Sequence, residues 1–301
     1  MKTLVVGGTG GIGGNIALAL RAANHEVTLA ARHRAQSDTP VAGMPILLGS
    51  YADGDFTRAQ LADFENIVFS ACNDPRQLPP GATAEQEAEF YHRVNSVGVP
   101  RFVALARDAG VRRVAYIGSF YPQARPDLIP TSSYIQSRLA ADEGARALAG
   151  PRFRVVSLNA PWVVGAMPGT VPPLFAAMVR YARGELAGLP VFAIPGGVNF
   201  ISVKSLTEAV IASFTRGENG RGYLVGDENL RFKDFFGLFF SAAGSNEELP
   251  VRDEPHPLFV DAALLAGRAG TIFYEPEGVK ELGYRRGDVG RAVQEIVEAV
   301  R

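Results

Sequence analysis

The sequence predicts an α/β fold: a doubly wound parallel sheet carrying a smaller, mainly helical C-terminal lobe. Three observations carry that expectation. Short, β-branched apolar runs alternate with helix-length segments through the first half. A glycine-rich turn joins the first run to the first helix. The rhythm then breaks near Gly165, where proline, glycine and aromatic residues accumulate.

Taken in order, residues 4–6, 27–31, 46–48, 67–70, 114–117 and 155–158 are too short for helices and too apolar for a half-exposed sheet. They read as buried parallel strands. Between them, residues 12–23, 57–64, 84–109 and 133–148 carry helical spacing. Phe102, Leu105, Ala106 and Ala109 share one face, and Gly110 supplies the stop. The acidic residues of 84–89 read as a solvated helix start. Beyond Gly165 one helix is expected over 174–183, a strand-helix-strand unit over 200–225, and mainly helix from Arg231 onward. The expected division is a dinucleotide-binding domain over 1–165, with 200–226 returning to it, and a substrate lobe over 166–301.

Composition bounds the function. Of 301 residues, 47% are hydrophobic and the formal charge is -1, which excludes a disordered chain and argues against a nucleic-acid partner. One cysteine, Cys72, permits no internal disulfide, and the scattered His25, His33, His92 and His256 give no metal spacing. Cys72 is expected to be a small buried residue. The apolar N-terminal run is too short and glycine-rich for a signal peptide. The charge-free stretch 155–179 is interrupted by Pro161, Pro168, Pro172 and Pro173, making it a poor membrane helix. No membrane partner and a cytoplasmic location are therefore expected. The cations are unusual: 26 arginines to four lysines.

The segment Gly7-Gly8-Thr9-Gly10-Gly11-Ile12-Gly13 reads equally as G-x-G-x-x-G from Gly8 or as G-x-x-G-x-x-G from Gly7. Either way, glycine permits the tight turn and close backbone approach, and the opening helix offers N–H groups to a pyrophosphate. This is the signature of a Rossmann dinucleotide site. At the end of the second strand, where an acid would select NAD, stand Arg32, His33 and Arg34, with no acid from Val27 to Ser37. Cations there suit a 2′-phosphate, so NADP(H) is expected over NAD(H).

With these motifs the chain resembles the short-chain dehydrogenase/reductase superfamily, in its extended or atypical NAD-dependent epimerase/dehydratase branch. The resemblance runs from the glycine motif through Ala109–Ser119 and Ser133–Glu143, which is similar to the family's Y-x-x-x-K helix, to Asn159–Gly165 and Phe200–Ala209. It implies Tyr134 as proton donor or acceptor and Ser119 as the hydroxyl beside it. Arg138 stands where the family carries a lysine. Asp53 is implied beside the adenine, Ala71 and Cys72 along the ribose, Pro161 near the nicotinamide, and Asn95 in a structural role. A homodimer through a helix pair is also implied. Two departures stand out. Arginine offers charge and ribose hydrogen bonds with a wider, planar head. The serine register is loose, leaving Phe120 in its slot and Tyr121 as an alternative phenol.

Where sugar-nucleotide members carry an asparagine, this chain has Trp162. With Phe120, Tyr121, Met167 and Phe192 it defines an expected apolar pocket for a small-molecule substrate, although Arg180, Arg183, Arg231 and Arg252 leave an anionic one open. Three readings result: an NADP(H)-dependent ketone or aldehyde reductase (or alcohol dehydrogenase), a nucleotide-sugar epimerase or dehydratase, and a non-catalytic NADP(H)-binding sensor or scaffold.

Overall fold

The expected strands of the first half appear as β1 (Lys2–Val6), β2 (Glu26–Ala31), β3 (Ile46–Leu48), β4 (Asn66–Phe69), β5 (Arg113–Ser119) and β6 (Arg154–Ala160) in the computed structural model, which describes residues 1–73, 77–78 and 81–300. Interleaved with them are α1 (Gly11–Ala22), α2 (Arg58–Leu61), α3 (Ala84–Tyr91), α4 (Gly98–Ala109), α5 (Tyr121–Ala124) and α6 (Ser133–Arg146). Local chemistry sets the helix ends. Thr57 and Gln60 close a capping box on α2, and Thr83 and Gln86 close another on α3. At the far end of α4, Gly110 takes φ +95°, the left-handed cap that glycine adopts without strain. The helix expected over 84–109 is not uniform. Residues His92–Val97 form a π-helical stretch between α3 and α4.

The second half adds β7 (Trp162–Val164), α7 (Pro173–Ala182), β8 (Gly197–Ser202), α8 (Val203–Ser213), β9 (Gly222–Leu224), β10 (Glu228–Arg231), α9 (Phe232–Ala242), β11 (Thr271–Ile272) and α10 (Val289–Ala299). Seven strands form one sheet in the order β3-β2-β1-β4-β5-β6-β9, every pair parallel. This is the Rossmann arrangement the sequence predicts. The strand order reverses between β1 and β4, and a ligand crevice opens at the carboxyl ends of strands at such a reversal. β9 thus returns to the main sheet, whereas β8 does not. β8 pairs with β7, β10 and β11 in a small separate sheet.

Three apolar cores result. One face of the main sheet packs on α1 and α8 through Val5, Ile16, Leu29, Val68 and Leu206. The opposite face packs on α4 and α6 through Leu4, Ile67, Phe102 and Ala141. The third fills the C-terminal lobe, where α9 buries Phe232, Phe235, Phe236, Phe239 and Phe240. Burying such a ring contributes roughly 1.5–3 kcal/mol, so α9 is anchored by its aromatic content. Among the described residues no helix is long and apolar enough to cross a membrane.

Candidate active site

The site begins at the turn between β1 and α1. Gly7 has φ +82°, and a Cβ there would lie 2.8 Å from the backbone nitrogen of Ala71. A Cβ on Gly13 would meet the Gly7 carbonyl oxygen at 2.4 Å and Ser70 Oγ at 2.5 Å. These two glycines let β1, α1 and the end of β4 close on one another. Gly10 and Gly11 differ. Gly10 caps α1 without a side-chain hydrogen bond, the first turn holds no acid, and a Cβ on Gly11 would enter open space. Uncapped N–H groups at a helix start facing open space form a cradle for a phosphate-bearing group. Thr9 and Ile12 lie half-buried in the same turn. The residues therefore fit a dinucleotide.

Around the cradle, Arg32 and Arg34 are exposed just past the end of β2, with no carboxylate within 4 Å among the described residues. Asp53 is exposed and ion-paired to Arg93 at 2.7 Å. Pro161 is buried between β6 and β7.

A chain of contacts runs from the cradle to Tyr134. Ala71 lies against Gly7, and the next residue, Cys72, accepts a hydrogen bond from Arg138 Nη1 at 2.8 Å. The same Nη1 donates to Tyr134 Oη at 3.2 Å, and Nη2 donates to the Ile117 carbonyl at 3.1 Å. Tyr134 and Arg138 share one face of α6 because they are four residues apart. Arg138 is only 4% exposed, and its Nε is buried without a hydrogen-bond partner among the described residues. Burial opposes its charge, but the neighbouring Cys72, Tyr116 and Tyr134 outweigh that, and its pKa stands well above the ordinary arginine value. A cation fixed beside a phenol favours the phenolate. The expectation that Cys72 is buried fails: its side chain is exposed at the end of β4.

Ser119 ends β5, two residues past Ile117, and its Oγ accepts from the Tyr121 backbone at 3.5 Å. Phe120 is buried, with its ring 4.2 Å from that of Tyr121. Burial raises the Tyr121 pKa. Of the two phenols, Tyr134 is the one whose oxygen meets a guanidinium.

The first turn of α6 is held from behind. Asn95, on the π-helical stretch, donates to Ser137 Oγ at 3.0 Å and to the Asn73 carbonyl at 3.2 Å. Ser137 in turn donates to the Tyr134 carbonyl at 2.8 Å. Such π segments recur at functional sites, and this one turns Asn95 inward. Asn73, which sequence reasoning missed, also donates to Tyr51 Oη at 2.5 Å.

The expected pocket residues divide. Tyr121 and Trp162 line one narrow cleft with Val198, Phe232, Leu264 and Ile272. Trp162 stacks on Phe259, with centroids 5.8 Å apart and planes at 21°. Phe192 belongs to the same core but packs deeper, against His256. Met167 lies elsewhere. It packs on α1, where a Cβ on Gly14 would meet its sulfur at 2.3 Å. The cleft holds about 10 Å³, room for roughly one water.

Comparison with known proteins follows from this geometry. A sequence model of the NAD dependent epimerase/dehydratase family matches residues 3–226. The chain is 23% identical over 324 residues to a putative dihydroflavonol 4-reductase of Synechocystis sp., covering 97% of this chain and 88% of that protein. It is also 23% identical over 267 residues to the 4-hydroxy-2-methyl-3-oxo-4-farnesyl-3,4-dihydroquinoline-1-oxide ketoreductase of Stigmatella aurantiaca, covering 83% and 75%. The crystal structure of the Bordetella bronchiseptica enzyme WbmG in complex with NAD superposes with a TM-score of 0.74 at 20% identity, over 99% of this chain and 93% of that one.

Proposed function

We propose, from the premise that this chain belongs to the NAD dependent epimerase/dehydratase family, that it is an NADP(H)-dependent reductase of a ketone or aldehyde on a fairly apolar small molecule. The observation that carries this reading is the continuous contact from the glycine cradle through Ala71, Cys72 and Arg138 to Tyr134 Oη. It gives a dinucleotide site and an acid–base phenol one shared wall.

The division of labour follows from the residues. Gly10, Gly11 and the start of α1 would hold the pyrophosphate, and Arg32 and Arg34 the 2′-phosphate. Bound there, the dinucleotide supplies the hydride. Tyr134 Oη gives a proton to the substrate oxygen in reduction and takes it back in oxidation. Arg138 holds Tyr134 and stabilises the phenolate left after proton transfer, a task its buried charge performs without reorganisation. Ser119 Oγ is the hydroxyl available to orient the substrate oxygen. Trp162, Tyr121 and Phe232 form the apolar wall, which favours a hydrophobic substrate.

Two relatives are named as reductases, the putative dihydroflavonol 4-reductase and the 4-farnesyl-dihydroquinoline-1-oxide ketoreductase, and both names describe ring compounds rather than nucleotide sugars. The nucleotide-sugar alternative draws on structural neighbours such as a UDP-N-acetylglucosamine 4-epimerase from Bacillus cereus. The aromatic cleft speaks against a sugar diphosphate, because charged oxygens against Trp162 and Phe232 would lose hydration without a partner. Arg138 in place of lysine motivates the sensor reading.

NADPH and NADH titrations of wild type and Arg32→Ala/Arg34→Ala, followed by a ketone panel, test the proposal. NADPH is expected to bind more tightly than NADH to wild type, and the double variant should lose that preference. Equal affinity in wild type would refute the cofactor assignment. UDP-sugars protecting the protein against melting while apolar ketones do not would favour the epimerase reading.

A further inference from the structure

At the opposite end of β5 and β6, about six residues or roughly 20 Å along β5 from Ser119, four arginines surround one crevice. Arg112, Arg113, Arg152 and Arg154 line an open cavity of about 200 Å³ together with Phe153 and Asn219. Arg113 and Arg154 are direct register partners on adjacent parallel strands. Like charges set side by side in a sheet destabilise it unless something neutralises them. Nothing does so here: among the described residues, none of the four has a carboxylate within 4 Å. Two guanidiniums are held instead by neutral acceptors, Arg113 by Asn66 Oδ1 at 3.2 Å and Arg154 by the Gly217 carbonyl. Their positions are fixed and their charge is left uncompensated. Arg112 and Arg152 are exposed on the rim, without a side-chain partner among the described residues.

The wall is preformed. Gly150 and Phe153 exchange backbone hydrogen bonds at 2.8 and 3.2 Å across the turn that carries Pro151 and Arg152. Asn219 locks this turn, donating to the Gly150 carbonyl at 3.0 Å and accepting from the Val155 backbone at 2.9 Å. A concave wall whose backbone is already fixed loses less entropy on binding an anion than a mobile loop would. Its volume is below the roughly 300–1,000 Å³ of drug-sized pockets, which suits a compact ligand. The geometry points to a second binding site, separate from the dinucleotide cradle, for a small anion bearing two or more phosphate groups. Arginine forks match phosphate oxygens bidentately, and two guanidiniums on adjacent strands match two linked phosphates.

Calorimetric titration of the full chain with inorganic pyrophosphate, with ADP in a parallel arm, tests this. The protein is titrated in saturating NADPH, so that the cradle's pyrophosphate and 2′-phosphate positions are already filled. It should still bind pyrophosphate at one site, with affinity falling as salt rises. Adding Arg112→Gln/Arg152→Gln should weaken binding at least tenfold, since charge-assisted hydrogen bonds are lost. Adding Arg58→Gln/Lys233→Gln instead removes the same charge from elsewhere on the surface and should leave binding unchanged. Tighter binding of pyrophosphate than ADP would identify a free anion as the ligand; the reverse order would identify a nucleotide's phosphate tail. Absence of a pyrophosphate isotherm in the NADPH-saturated protein would overturn the proposal. So would equal weakening by the two added pairs.

Discussion

Substituting alanine at two neighbouring glycines separates the tasks of the β1–α1 turn. At Gly13 the new methyl would stand 2.4 Å from the Gly7 carbonyl and 2.5 Å from Ser70 Oγ, closer than such atoms approach. Either α1 or the end of β4 must shift. Overpacking of this kind costs about 1–3 kcal/mol, against about 1 kcal/mol gained in helix propensity. A displaced cradle should weaken NADPH binding about 10- to 100-fold, at about 1.4 kcal/mol per decade. At Gly11 a methyl meets nothing within 4 Å. The free protein should therefore be stabilised by roughly 0.5–1 kcal/mol, raising Tm by about 1–4 °C. Yet the same methyl enters the space assigned to the pyrophosphate, so NADPH should bind at least tenfold more weakly. Thermal unfolding with and without NADPH, paired with fluorescence titration of the cofactor, reads both effects. Gly11→Ala alone should combine a higher Tm with weaker binding. NADPH affinity at the wild-type level in both variants would refute the placement of the cradle.

Two further predictions concern residues outside the cradle. His256 is 3% exposed among Tyr181, Phe192, Phe236 and Phe259, and its Nδ1 accepts from the backbones of Leu258 and Phe259. Burial lowers its pKa below the ordinary 6.5. The unfolded chain then binds the proton more readily, so stability should fall as pH drops below about 6.5 towards the folded value. His256→Asn, which keeps an acceptor and cannot titrate, should flatten the fall of Tm between pH 7 and 5, leaving the slope of His25, also lowered by burial; an unchanged slope counts against this. Cys72 is exposed and touches Arg138 beside the cradle. Its alkylation by iodoacetamide should abolish NADPH binding, and saturating NADPH should protect the thiol, as peptide mass spectrometry would show. Alkylated protein that binds NADPH normally would disprove the contact's place in the site.

Backbone sterics explain why the turn was legible. Only glycine tolerates the approaches at Gly7 and Gly13, so their spacing announces the structure they permit. The parallel strands were equally plain, since burial on both faces demands continuous β-branched runs. Tyr134 and Arg138 could be paired from the Y-x-x-x-K motif that the segment resembles, and four-residue helical spacing sets the two on one face. The contact between Cys72 and Arg138 joins residues 66 apart, and no local pattern encodes it. The charge-free stretch around Trp162 and Met167 pointed to one apolar pocket, and the structure sends the two residues to different places. Trp162 turns to Phe259 in the C-terminal lobe and Met167 to Gly14 on α1. The small sheet escaped notice for a similar reason, because β7, β10 and β11 are two to four residues long and find β8 from distant parts of the chain. The π-helical stretch leaves no mark on hydrophobic spacing, yet it aims Asn95 at the turn that carries Tyr134.

The account turns on Tyr134 as the group that moves the proton. The direct measurement is NADPH-dependent reduction of an apolar ketone accepted by wild type, repeated with Tyr134→Phe, alongside NADPH binding by both proteins. Loss of a positioned acid should lower kcat/KM by about 10²–10⁴-fold, while NADPH affinity stays within about twofold because Arg138 and the glycine cradle remain. Turnover at the wild-type rate in Tyr134→Phe, with the cofactor still bound, would contradict the account.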